Sequence, residues 1–151
     1  TTLSSKKTNK DSVGFNLELV NRSNVNVSLN KIECESLNFN KQYSAKSTFN
    51  NKLDFKNKTL VPESASISQP YWLEQKPLLG TCIVDDQLKI GLPENQPAAV
   101  FKITLQIEDQ LISFTRPLIY KWNDPVKGEK KKNCIITPKL TASLKKKVII
   151  F

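Results

Sequence analysis

No histidine occurs anywhere in the 151 residues. Its absence removes the Ser-His-Asp and Cys-His arrangements of nucleophilic catalysis, and every histidine-based metal site. Glycine is nearly as scarce, with four in the chain. Neither GxGxxG nor GxxxxGK[ST] can be written, so a phosphate-cradling loop is excluded. The three cysteines, Cys34, Cys82 and Cys134, form no CxxC pair, which argues against structural zinc, and they allow at most one internal disulfide. Their spacing suits small hydrophobes buried in strands. No apolar run approaches the roughly 18 residues of a membrane span. The opening TTLSSKKTNKDS lacks the apolar h-region of a signal peptide and reads as a linker. Methionine is missing too, and the chain ends on the strand-like KKKVIIF, so a piece of a larger protein is expected.

The formal charge is +9, but only Arg22 and Arg116 are arginines. Base readout and bidentate phosphate contacts lean on arginine, whereas these lysines gather in KGEKKK and KKK near expected turns. A solvated surface is therefore expected, with no nucleic-acid partner and no membrane insertion. Paired carboxylates stand at Asp85-Asp86 and Glu108-Asp109, both in expected turns. No catalytic residue, metal ligand or cofactor site is assigned.

Alternation with a period of two runs through most of the chain. Val13, Phe15, Leu17 and Leu19 share one face of DSVGFNLELVN. NRSN then reads as a turn, and Val25, Val27 and Leu29 return in phase, which predicts a hairpin. The apolar phase shifts afterwards to Ile32 and Cys34, as a bulge near Asn30-Lys31 would produce. Residues 36–60 suggest short, edge-like strands, and GTCIV-DD-QLKIG a short hairpin. In AAVFKITLQI-ED-QLISFTRPLIYKW, Ala99, Phe101, Ile103, Leu105 and Ile107 alternate up to Glu108-Asp109. Ile112, Phe114, Leu118, Tyr120 and Trp122 share a face beyond it, with Pro117 marking an edge or bulge. NDPVKGE is a turn. Many short strands with regular turn signals describe an all-β fold, an antiparallel β-sandwich that is immunoglobulin- or fibronectin-like in the broad sense.

The aromatic pairs are the candidate ligand contacts. Tyr120 and Trp122 read first as core and alternatively as an exposed strip that stacks on sugar rings. Tyr71 and Trp72 follow Pro70, and in an extended segment they point to opposite sides. A crossover between parts of the fold is the expected role there, with sugar or partner contact by Trp72 the alternative. Sequons at Asn21, Asn26 and Asn57 are assigned no function.

Four segments carry a resemblance: SQPYWL (68–73), GLPENQPA (91–98), RPLIYKWNDPVKGE (116–129) and Thr137-Pro138. Over residues 60–138 the chain resembles the β-rich region that follows the catalytic domain in large secreted LmbE/PIG-L-type deacetylases of Bacteroidetes. LVNRSNVNVSL resembles accessory sandwiches of glycan-processing enzymes. The resemblance implies a parent that removes N-acetyl groups from glucosamine-type sugars with zinc. That family's His-Pro-Asp-Asp and His-x-x-His are not in this chain, so no catalytic or metal residue carries over. The expectation is a non-catalytic module of a secreted parent, extracellular or periplasmic, whose partners are the parent's other domains and, alternatively, a glycan. Residues 1–10 are read as linker, 11–138 as one sandwich, and 139–151 as its last strands or the start of a following domain.

Overall fold

Alternating apolar residues become strands, and the strands are shared between two sheets. The computed structural model describes residues 2–6 and 12–138; the expectation for 139–151 lies outside them. The strands are β1 (Thr2–Lys6), β2 (Ser12–Val20), β3 (Val27–Cys34), β4 (Phe39–Ser47), β5 (Lys52–Leu60), β6 (Val100–Ile107), β7 (Gln110–Pro117), β8 (Ile119–Asp124) and β9 (Gly128–Asn133). One sheet has the order β5-β2-β1-β8-β9 and the other β4-β3-β6-β7. Every pairing between these strands is antiparallel except that of β1 with β8. The described residues contain short 3-10 turns but no α-helix.

Phe15, Leu17 and Leu19 of β2 join Leu29, Ile32 and Cys34 of β3 and Phe101, Ile103 and Leu105 of β6 in one buried cluster. Phe15 sits edge-on to Phe39 at 5.0 Å and tilted against Phe101 at 4.5 Å between centroids. Such pairs add to the area they bury. The shift of register between Leu29 and Lys31 is the expected bulge, and it lets Leu29 and Ile32 both point into the core. The β6–β7 hairpin turns at Glu108 and Asp109 as expected, and Glu108 adopts a left-handed φ of 51°. NDPVKGE also turns as read. The Asp124 carboxylate accepts from the amides of Val126 (2.9 Å) and Lys127 (2.8 Å), and Gly128 supplies the φ of 73° that closes the loop.

Five expectations give way. First, β2 and β3 are not a hairpin; they pair with other strands, in different sheets. The turn between them carries the chain across, and Asn21 builds the corner. Its Nδ2 donates to the carbonyls of Val25 (2.8 Å) and Ser47 (3.2 Å). Its Oδ1 accepts from the amide (3.0 Å) and hydroxyl (2.8 Å) of Ser23. Second, residues 36–60 form strands of nine residues each rather than short ones, β4 at the edge of one sheet and β5 at the edge of the other. Their facing side chains meet: Tyr43 is edge-on to Phe55 at 5.1 Å, and its hydroxyl donates to Asn57 Oδ1 at 2.7 Å.

Third, residues 80–91 are not a hairpin. The Asp86 carboxylate accepts from Leu88 N at 3.0 Å and caps a 3-10 turn, Gln87–Lys89, a local bond that competes with strand pairing. Fourth, residues 2–6 belong to β1 rather than to a linker, between β2 and β8; backbone pairing holds a stretch whose composition carries no strand signal. Fifth, the cysteines are not all buried in strands. All three are free, Cys34 buried in β3, Cys82 exposed in a loop and Cys134 half-buried just past β9. Burial pushes the Cys134 thiol above its ordinary value.

Candidate functional site

The β8–β9 hairpin and the long connection from β5 to β6 carry the four candidate aromatics. On β8, Tyr120 and Trp122 are two residues apart and so share a face. Ser5 of β1 is in register with both Phe15 and Tyr120, which sets Tyr120 and Trp122 on the face of the sheet that carries Phe15. Leu118, in the same phase, is fully buried. The core expectation nevertheless fails for the pair: Tyr120 is 40% and Trp122 36% exposed. Ile112 and Phe114, expected to share that face, lie instead in the other sheet, on its edge strand β7, and are partly exposed, because the chain changes sheets between β7 and β8. Tyr120 and Trp122 stack on each other at 5.4 Å with 28° between ring planes, forming one apolar strip open to solvent.

The pairing of the lysines around this strip depends on the face. Across β9, Tyr120 is opposite Lys132 and Trp122 is opposite Lys130. Directly opposite residues of a pair lie on the same face. Lys130 and Lys132 make no ion pair among the described residues. On the reverse face Lys121 and Lys131 both bridge to Glu129, the second at 3.1 Å. Those two ammonium groups hold the Glu129 carboxyl below its usual value, chiefly through the hydrogen bond from Lys121. The reverse face is thus partly neutralised.

Tyr71 and Trp72 form a different arrangement from the extended one expected. Pro70 is extended (φ −53°, ψ 137°), but Tyr71–Leu73 close a 3-10 turn. The rings therefore touch, edge-on at 4.8 Å, instead of pointing to opposite sides. Tyr71 is half-buried, and its hydroxyl accepts from Gly91 N at 3.3 Å. Trp72 is exposed.

Around Tyr71 lies a junction that the sequence did not reveal. Asn95 Nδ2 donates to the Gln69 carbonyl at 2.6 Å, and Asn95 Oδ1 accepts from Tyr71 N at 3.3 Å. Asn133 Nδ2 donates to Glu94 Oε2 at 2.8 Å. Ser68 N donates to the Ile136 carbonyl at 2.8 Å, and Ile136 N donates back to Ser68 Oγ at 3.0 Å. A cleft of about 450 Å³ opens beside it, lined among others by Glu35, Asn38, Ser68, Tyr71, Lys89 and Asn95. No ring contact joins this aromatic pair to Tyr120–Trp122 among the described residues.

The carboxylate pairs hold loops together. Asp85 accepts from Gln75 Nε2 at 3.0 Å, Asp86 caps its turn, and Glu108 accepts from Asn26 N at 3.1 Å. No group of three or more metal-ligating side chains occurs among the described residues. Of the sequons, Asn21 is buried with both ends of its amide engaged, and Asn57 accepts from Tyr43; Asn26 is exposed. No protein-family model, curated protein or solved structure matches the chain. The described residues thus present two partly exposed aromatic pairs, ammonium groups that make no ion pair among them, and a polar cleft.

Proposed function

We propose that this chain is a non-catalytic accessory module of a larger secreted LmbE/PIG-L-like zinc-dependent deacetylase. Its two sheets form an immunoglobulin- or fibronectin-like sandwich, and it works as a spacer or interaction domain against the other domains of its parent, outside the cytoplasm. The observation that supports the reading most is the junction around Tyr71. SQPYWL and GLPENQPA, which carry part of the resemblance to that family, are far apart in sequence, and residues 133–136 stand just before its Thr137-Pro138. In the fold Ser68, Gln69, Tyr71, Glu94, Asn95, Asn133 and Ile136 tie these stretches together by hydrogen bonds. Motif residues spent on bracing a connection suit a scaffold. The test is the coding sequence upstream of Thr1. A domain with His-Pro-Asp-Asp and a later His-x-x-His is expected; an upstream domain without them overturns the family assignment.

A second reading, a carbohydrate-binding module, is favoured by one specific observation. Tyr120 and Trp122 are stacked on each other and open to solvent. The outer ring surfaces that this stack leaves open offer apolar contact to a sugar ring.

A further inference from the structure

We propose that the β8–β9 face binds an acidic polysaccharide, a chain of carboxylated sugars, with Tyr120 and Trp122 under the sugar rings and Lys130 and Lys132 against the carboxylates. The proposal rests on the carbohydrate-binding reading and adds the class of sugar.

Three observations converge on it. The aromatic strip is exposed although it lies on the face of the sheet that holds the core, so it presents apolar area to water where a sheet face is ordinarily covered. The strand register sets a lysine directly beside each ring, Lys132 beside Tyr120 and Lys130 beside Trp122. The two faces of the hairpin carry the same formal charge, two lysines and one carboxylate each, but differ in how the lysines are paired. Glu129 engages Lys121 and Lys131 on the reverse face. On the aromatic face the carboxylate in phase with the rings is Asp124, which accepts from two amides of the adjoining turn. Among the described residues that face therefore has one positive charge in excess, and its two ammonium groups make no ion pair.

A neutral sugar would use the rings and leave both lysines idle. A single-stranded nucleic acid would also use rings and cations, but its phosphates are best gripped by arginine forks. Neither arginine belongs to this hairpin: Arg22 lies beyond β2, and Arg116 is on β7. Lysine, a compact point charge, attracts carboxylate and phosphate alike, so titration with oligo-dT separates the two polyanions.

The test is tryptophan emission during titration with three probes: an oligogalacturonate, a neutral chito-oligosaccharide and oligo-dT. The oligogalacturonate is expected to shift the emission, with affinity falling as salt rises. Trp122→Ala should abolish the response, and Trp72→Phe should preserve it. Lys130→Gln with Lys132→Gln should weaken binding at least about fivefold, more than Lys121→Gln with Lys131→Gln. Far-UV circular dichroism checks that each variant keeps its strands. Equal binding of the neutral sugar overturns the acidic class and leaves the carbohydrate reading standing. Tighter binding of oligo-dT, or equal losses from the two lysine pairs, overturns the proposal in favour of a general polyanion surface. Silence toward all three probes overturns both the proposal and the carbohydrate reading.

Discussion

Replacing Asn21 with alanine should destabilise the protein by roughly 1.5–3 kcal/mol, because one side chain holds three pieces of backbone at a corner between sheets. Asn21 is buried and makes four hydrogen bonds, to Val25, Ser47 and twice to Ser23. A hydrogen bond contributes about 0.5–1.5 kcal/mol net. The two to Ser23 lie near the surface, where water replaces them in the variant. The two from Nδ2 reach carbonyls at the end of the turn and the end of β4, and the one to Ser47 is buried. For a domain of this size the urea slope lies in the range of about 1–3 kcal/mol/M, so the midpoint should fall by about 1 M. Asn21→Asp sharpens the test. The introduced carboxylate would face the same two carbonyl oxygens with no proton to donate. Burial and that repulsion raise its folded-state pKa above the unfolded value. The neutral form is then the better tolerated, so the deficit is smallest below the ordinary carboxylate range and grows as pH climbs through it. A cost under about 0.5 kcal/mol for Asn21→Ala, or a pH-independent deficit for Asn21→Asp, would refute the reasoning.

Phe101→Ala should cost about 3–5 kcal/mol in the same assay, since the ring is fully buried and touches Phe15; a loss below about 2 kcal/mol would contradict the core assignment. Thiol labelling of the native protein should modify Cys82 within the mixing time and Cys134 slowly, and Cys34 only on unfolding, in the order of their exposure. The raised thiol value of Cys134 should slow its labelling further at neutral pH. The Glu129 carboxyl should titrate below the usual carboxylate range by NMR, and Lys121→Met should move it upward. Its contribution to stability is present above the unfolded value and disappears as pH falls through the lowered one, and a Glu129→Gln variant should lose that dependence.

Sequence pattern located strands better than it located their partners. Alternation at Ala99, Phe101, Ile103, Leu105 and Ile107 placed the buried face of β6, and the phase shift between Leu29 and Ile32 placed the bulge. Alternation states which face of a strand is apolar but not which strand it pairs with, so the β2 and β3 stretches looked like a hairpin while lying in different sheets. β1 was illegible because its stretch TLSSK has a single apolar residue. Tyr120 and Trp122 show another limit. Their phase correctly put them on the face of the sheet that carries the core, yet exposure depends on what covers that face, which no local pattern encodes. The junction at Asn95, Tyr71 and Ser68 left no signal either, because hydrogen bonds between polar loops have no period. The short-range bond of Asp86 explains why residues 80–91 turned instead of pairing.

The parallel pairing of β1 with β8 has a kinetic consequence. β1 lies in the middle of its sheet, between β2 and β8, and Ser4 and Ser5 meet Ile119 and Tyr120 near the far end of the described chain. During synthesis from the amino terminus, the first strand can pair with β2 early but must wait for almost all the rest before its second edge is filled. Closing so long a loop is entropically costly, and β-proteins dominated by distant pairings fold slowly. Until β8 arrives, the β1 edge is an unpaired strand in a nascent chain, and shielding that edge is where a chaperone would matter most.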